Sequence, residues 1–523
     1  MTKSIEQYLN KVIQGDCLEV MKNIPSKSID MILCDLPYGT TQNKWDSVID
    51  LDQLWKHYER IIKDNGAIAL TSQGLFTAKL IISNEKFFKY KIVWIKSKST
   101  NFLNAKKQPL RKHEDICIFY KKQPTYNPQM TNGEAYDKGI RKDQYTGSYG
   151  DTINKLNVAI QSNVAPHIVQ GYDIATQMLI DGEIAVPMQD LIDADPEFDI
   201  GTFMPQVLNY YRVNGKLYCM PFNSSNAVMF YNRTLFEKAG LDPNKPPKTY
   251  KELYEYSKML TTKDDKGNVE QAGVCWNLHC WFFEEFMAKQ NAALVDNNNG
   301  RTGRPTKAIF NSDAGLKVFN MWNDLSKDGY MINTKVHDWT GSRNLFISQK
   351  VAMLITSTSD VALMVKSAEE NDFELGSAFM PIPADAETGG VVIGGGSLWM
   401  VAGKPEEETK AAWEFVKFMA ESAQQIKWHT GTGYFPVRKD AVEDLLAKGY
   451  YSESPHNLTT IMQLLLSTQN YNSNGAIIGA FAEVRNAVES NVQKMLNGDM
   501  TPEEALAAAE KDCTDAIREY EGL

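Results

Sequence analysis

Met220-Pro221-Phe222-Asn223-Ser224-Ser225 runs within two residues into the apolar string Val228 to Tyr231, which is followed by Asn232. The apolar string predicts a strand. Short runs of the same kind at Ile168-Val169, Ala352 to Ile355 and Val391-Val392 alternate with amphipathic stretches such as Lys251 to Leu260 and Lys410 to Ala423, which predict helices. The alternation is that of an α/β protein with much helix. The last helix is signalled residue by residue. Thr501 stands as cap, Pro502 in the first turn, and Glu503 and Glu504 near the positive end of the dipole; Ala-rich sequence then runs to Tyr520. No nucleophile and base pair, phosphate-cradling loop or paired catalytic acid emerges from this part of the chain.

The whole chain has 523 residues, more than one hydrophobic core usually organises, which predicts two to four domains. Hydrophobic residues at 43% and charged residues at 23% exclude long disorder, collagen and a membrane bundle. No apolar stretch is long enough to cross a bilayer, and Met1 to Gly15 lacks the apolar core of a secretory signal, so the expected location is the cytoplasm. The seven cysteines are scattered, with no metal-ligand spacing against the seven histidines, so buried free thiols and no metal site are expected. The net charge of -10 is uneven. Residues 1–145 carry 23 Lys and Arg against 16 Asp and Glu, and the remainder carries 32 against 49. A basic segment suits a polyanionic partner and an acidic one does not. Glu134 to Gly150 is rich in Gly, Tyr and charge without apolar periodicity, which places a boundary near residue 145 and divides the chain into 1–145 and 146–523.

In the first segment, Ser28 to Cys34 is an apolar run that ends abruptly in Asp35-Leu36-Pro37-Tyr38-Gly39, a buried strand entering a rigid loop. Ala67 to Thr71, Lys91 to Ile95 and Asp115 to Tyr120 predict further strands, and Leu51 to Lys63 a helix. In such a sheet, ligands bind beyond the carboxyl ends of strands. Asp35-Leu36-Pro37-Tyr38 resembles the D-P-P-Y loop of DNA adenine-N6 and cytosine-N4 methyltransferases. Val12 to Met21, Ile61 to Leu70, Ser83-Asn84 and Asn101 to Phe119 are similar to further segments of the phage-type members, in the family's order. The resemblance implies a partial Rossmann-like sheet, S-adenosylmethionine as donor and DNA as partner. An exocyclic amine conjugated to its ring is a poor nucleophile, so a carboxylate and a carbonyl must accept its protons; Asp35 and the Leu36 carbonyl would do this. Pro37 completes the loop and Tyr38 would stack on a base swung out of the duplex. Lys106, Lys107, Arg111 and Lys112 form a basic cluster suited either to phosphates or to a solvated loop. His113-Glu114-Asp115 has no second histidine at helical spacing. The family's glycine-rich cofactor loop is not found in this segment; the close glycine pairs are Gly394-Gly395-Gly396 and Gly431-Thr432-Gly433.

The second segment resembles the extracytoplasmic solute-binding proteins of ABC importers. The strings that carry this are Ala165 to Val169 with Tyr172-Asp173, Met220 to Ser225, Phe230-Tyr231-Asn232, Phe236 to Asp242, Pro246 to Tyr250, Ile393 to Trp399 and Gly431 to Pro436. Within that group it is most similar to the sn-glycerol-3-phosphate-binding proteins. The resemblance implies a two-lobed fold lacking its first strand, a small polar solute, a permease partner, and ligand contacts at Tyr149, Asp173, Ser225, Tyr250, Ser357, Gly395, Tyr434 and Arg485. Arg485 would pair with a phosphate, with Ser225, Ser357, Tyr434 and the Gly395 amide as donors. Asp173 would accept from a glycerol hydroxyl and Tyr250 would supply an apolar wall. A carboxylate also suits a sugar, so glycerophosphodiesters and oligosaccharides stay open. Trp276, Trp281 and Trp399 are expected in the core rather than as sugar platforms. The chain thus reads as a truncated methyltransferase joined to a binding protein, with solute binding as the main activity and site-specific DNA methylation as the alternative.

Overall fold

The computed structural model describes residues 5–39, 46–100, 111–125, 149–162 and 164–523. It divides into two compact units, Met1–Gly139 and Ile140–Leu523. The boundary expected near residue 145, Lys106 and Lys107 lie outside the described residues.

The first unit is a four-stranded mixed sheet of β1 (Ile29–Asp35), β2 (Ile62–Ser72), β3 (Phe88–Thr100) and β4 (Arg111–Phe119) in the order β1-β2-β4-β3. β1 and β2 are parallel, with Asp35 opposite Thr71, whereas β4 runs antiparallel to both β2 and β3. Helix α1 (Leu51–Ile61) begins where the Asp50 carboxylate accepts the Gln53 amide at 3.1 Å. Its Leu54, Trp55, Tyr58 and Ile61 are buried, the i, i+4, i+7 spacing of one helical face. Together with Phe76 and Leu80 of α2 (Leu75–Ser83), they pack on Leu70, Cys117 and Phe119. Met31 and Leu33 on β1 are exposed, at 56% and 69%. Ile92, Val93, Trp94 and Ile95 on β3 are exposed as well. Strands alternate sides, so consecutive exposed residues on β3 show both of its faces in contact with water.

The second unit contains two larger sheets. One has the order β8-β9-β10-β7-β11, built from β7 (Ala227–Asn232), β8 (Thr262–Lys263), β9 (Val269–Trp276), β10 (Val351–Ser357) and β11 (Leu375–Ala378). The other is β5-β12-β6, from β5 (Ile168–Tyr172), β6 (Met220–Ser225) and β12 (Gly394–Met400). Every residue of β6, β7 and β10 is buried, which is why these stretches read as short continuous runs rather than as alternation. The chain passes from one sheet to the other with only Asn226 between β6 and β7, and returns between β11 and β12. The run Val391-Val392, predicted as a strand, lies on this return. Both residues are buried, but their amides donate to Ser467 Oγ (3.1 Å) and Glu285 Oε2 (3.0 Å) instead of to a neighbouring strand. The single helix predicted over Lys410 to Ala423 is two, Glu406–Met419 and Ser422–Thr432. The closing helix, Pro502–Glu521, has the expected start: Thr501 and Glu504 form a reciprocal capping box.

Candidate functional site

A cavity of about 690 Å³ opens in the second unit. Its polar centre is Arg485, on α8 (Phe481–Leu496), which follows α3 (Tyr149–Gln161), α4 (Tyr250–Leu260), α5 (Cys280–Lys289), α6 (Trp339–Ile347) and α7 (Ser422–Thr432) along the chain. Arg485 is buried; its Nε and Nη2 donate to the two carboxylate oxygens of Glu284 at 2.6 and 2.9 Å, and Nη2 also donates to Asp173 Oδ2 at 2.9 Å. The planar fork of guanidinium is thereby fixed by two carboxylates before any solute arrives. Burial pushes the Asp173 carboxyl up to about 6, although Arg485 beside it pulls the other way.

The remaining wall is placed by backbone features. Ser225 ends β6 and Ser357 ends β10, where the Ser357 hydroxyl is 2.8 Å from that of Ser359. Gly395 lies in β12 opposite Ser224 with φ of +103°, and a Cβ there would meet the Asn223 carbonyl oxygen at 2.0 Å, so a side chain is excluded on two grounds. At Gly394 a Cβ would meet the indole of Trp281 at 2.8 Å; the missing side chain makes room for that ring. Tyr149 opens α3, stacks on Tyr172 with ring centroids 5.5 Å apart, and accepts from Asn223 Nδ2 at 3.1 Å. Tyr434 follows Gly433, whose φ of +105° ends α7, and the Tyr434 carbonyl is 2.7 Å from His429 Nδ1.

Seven of the eight residues named from the sequence therefore line one cavity: Tyr149, Asp173, Ser225, Ser357, Gly395, Tyr434 and Arg485. Tyr250 does not. It begins α4, packs edge-on against Phe286 at 5.8 Å, and its hydroxyl accepts from Gln290 Nε2, so it belongs to the core and supplies no wall. Trp276, Trp281 and Trp399 are buried in the core as expected, but Trp281 also lines the cavity, and its buried indole N–H finds no acceptor among the described residues. Trp339, Arg343, His279 and His337 also line it and were not foreseen. Arg343 is paired with Asp360 (Nη2 to Oδ1, 2.8 Å), and its guanidinium lies 5.7 Å from the Trp339 ring centroid. These four come from loops, helix starts and, for Arg343, the middle of α6, all separated from the recognisable strings, so only their apposition in space marks them.

In the first unit, Asp35 ends β1 and its Oδ1 accepts from the hydroxyls of Tyr38 (3.0 Å) and Thr71. Leu36 is buried, Pro37 is partly so, and Tyr38 is half-buried against Phe76, with centroids 5.5 Å apart; burial raises its phenol above the ordinary range. Lys112 is exposed, and Arg111 belongs to β4. The two glycine clusters considered for S-adenosylmethionine are both used in the second unit, Gly394–Gly396 as strand β12 and Gly431–Gly433 at the end of α7.

Two sheets joined by crossings beside a cavity of charged, hydroxyl and aromatic groups define a two-lobed binding protein. The profile of the family described as bacterial extracellular solute-binding protein matches residues 133–459. The sn-glycerol-3-phosphate-binding periplasmic protein UgpB of Escherichia coli (strain K12) is 30% identical over 383 residues, 72% of this chain and 85% of the relative. Among solved structures, UgpB from Mycobacterium tuberculosis in complex with glycerophosphocholine has a TM-score of 0.61 at 20% identity, covering 72% of this chain and 89% of its own. The cyclic alpha-maltosyl-1,6-maltose binding protein from Arthrobacter globiformis has a TM-score of 0.56 at 23% identity, covering 71% and 89%. The chain belongs to the bacterial extracellular solute-binding proteins. That membership does not support the cytoplasmic location expected above, because the family is an extracellular one. No helix among the described residues is long and apolar enough to cross a membrane.

Proposed function

We propose that the second unit binds a small phosphorylated polyol, glycerol 3-phosphate or a glycerophosphodiester, and presents it to the permease of an ABC importer outside the cytoplasm. The observation that carries this reading is Arg485, held between Asp173 and Glu284 on the wall of the cavity and accompanied there by Ser225, Ser357, Tyr434 and a strand amide at Gly395 that no side chain can cover. A phosphate needs a fixed cation and several donors, and a glycerol hydroxyl needs an acceptor such as Asp173. Trp281 and Trp339 give the carbon skeleton an apolar surface. The relatives point the same way: one is described as sn-glycerol-3-phosphate-binding, and another was solved with glycerophosphocholine. A sugar is the second reading, favoured by the same tryptophans beside a carboxylate.

Isothermal titration calorimetry of the chain with glycerol 3-phosphate, glycerophosphocholine and maltose separates the two. Saturable binding of either phosphate compound, absent for maltose and weakened at least about ten-fold in Arg485→Lys, is expected, because lysine keeps the charge and loses the fork. Heat from maltose alone would move the assignment to sugars.

A further inference from the structure

His279, His337 and Glu489 come from three separate parts of the chain, yet one ligand atom from each lies within 4.8 Å of the others. His337 Nε2 is 2.9 Å and His279 Nδ1 3.8 Å from Glu489 Oε1, and the two imidazole rings are 4.6 Å apart. Both histidines line the solute cavity, while Glu489 is buried behind them, one turn along α8 from Arg485.

From this geometry we infer a transition-metal site of the zinc class, with His279, His337 and Glu489 as its three protein ligands and its open position toward the cavity. Two imidazoles and one carboxylate are a ligand set that zinc accepts in sites that keep a fourth position for water or another oxygen. Metal bonds of about 2.0–2.2 Å place ligand atoms roughly 3 Å apart, so small side-chain movements bring the three into range.

Two further observations favour a cation here. Asp173, Glu284 and Glu489 are all buried, and Arg485 donates its described hydrogen bonds to the first two. Glu489 Oε1 meets only the Cys280 amide, at 2.8 Å, and the two histidines in the contacts described. A buried carboxylate of this kind is stabilised by a positive charge. Second, His337 holds its ring there from a left-handed backbone with φ of +58°, a conformation uncommon outside glycine. Its amide donates to the Leu278 carbonyl at 3.1 Å, which ties the His337 loop to the segment that carries His279. Coordination through His279 Nδ1 takes the lone pair that now accepts the Trp281 amide at 3.1 Å, replacing one cap bond by a metal bond.

Zinc chloride titrated into the full chain after chelator treatment tests the site directly. Uptake of one ion per chain is expected, with a tetrahedral absorption spectrum when cobalt replaces zinc. His337→Asn keeps a residue that tolerates the left-handed backbone and removes the imidazole; Glu489→Gln keeps an acceptor for the Cys280 amide. Each is expected to weaken zinc binding at least about ten-fold while thermal unfolding stays cooperative. Absence of stoichiometric uptake by the wild-type chain, or unchanged affinity in either variant, would overturn the assignment. Glycerol 3-phosphate titrated in the presence of chelator reports on the solute proposal alone, so the two fail independently.

Discussion

Tyr250 and Tyr434 were named together as ligand contacts, and the fold separates them. Tyr434 is carried to the cavity by the left-handed turn at Gly433, whereas Tyr250 is drawn into the core by Phe286 and Gln290. Tyr434→Phe is expected to weaken solute binding by about 1 kcal/mol, the worth of one hydrogen bond, and Tyr250→Phe to leave it within about two-fold in calorimetry. Asp173 supplies a pH dependence. Its folded value is raised from 3.8 to about 6, so an anion bound beside it favours the protonated form. Affinity for glycerophosphocholine, whose phosphodiester does not titrate there, is therefore expected to fall as pH rises through about 6, by at most about ten-fold per pH unit. Asp173→Asn should flatten the profile. A profile as steep as that of the parent would mean another group titrates. At this scale the cavity was largely legible, since Asp173, Ser225, Gly395 and Tyr434 lie within recognisable strings, whereas Arg485 stands outside them and was reached through the resemblance alone. Trp281 is buried in the core, as a large aromatic residue usually is, but nothing local shows that Gly394 also leaves it a seat on the wall.

Helix α5 connects the site to the sheet crossings. Glu285 on this helix accepts the Ala227 amide at 2.7 Å through one oxygen and the Val392 amide at 3.0 Å through the other, so one carboxyl holds both segments that pass between the sheets. Burial raises it from 4.5 to about 8. A folded value above the unfolded one means that stability is greatest below about 4.5, declines between the two values by about 1.4 kcal/mol per pH unit for this group, and levels off above about 8. Chemical denaturation from about pH 5 to about pH 9 should show that decline, and Glu285→Gln should remove this contribution. An unaltered slope in the variant would place the titration elsewhere. The sequence could not announce this device. Val391 and Val392 read as a strand because they are apolar and buried, yet a strand needs a neighbouring ladder, and here side chains from distant segments take the amides instead. The closing helix, by contrast, was legible to its cap because Thr501, Pro502 and Glu504 act on one another locally.

On the scale of the whole molecule the two units differ in how well they cover themselves. The second buries complete strands between helices, and its mixed α/β character followed from the alternation of short apolar runs. The first leaves Met31, Leu33, Ile92, Trp94 and Ile95 in water. Exposed sheet of this kind has little to oppose local opening. Limited proteolysis is expected to cut residues 1–139 first and leave a resistant product spanning the second unit, and solute should protect that product further. Equal cleavage rates in both units would contradict this. The cavity wall also has an optical consequence. Trp281 and Trp339 border the space a solute enters, whereas Trp276, Trp322 and Trp399 are sealed in the interior. Displacement of water from the partly exposed Trp339, beside the buried Trp281, gives the unlabelled chain an intrinsic fluorescence signal for occupancy.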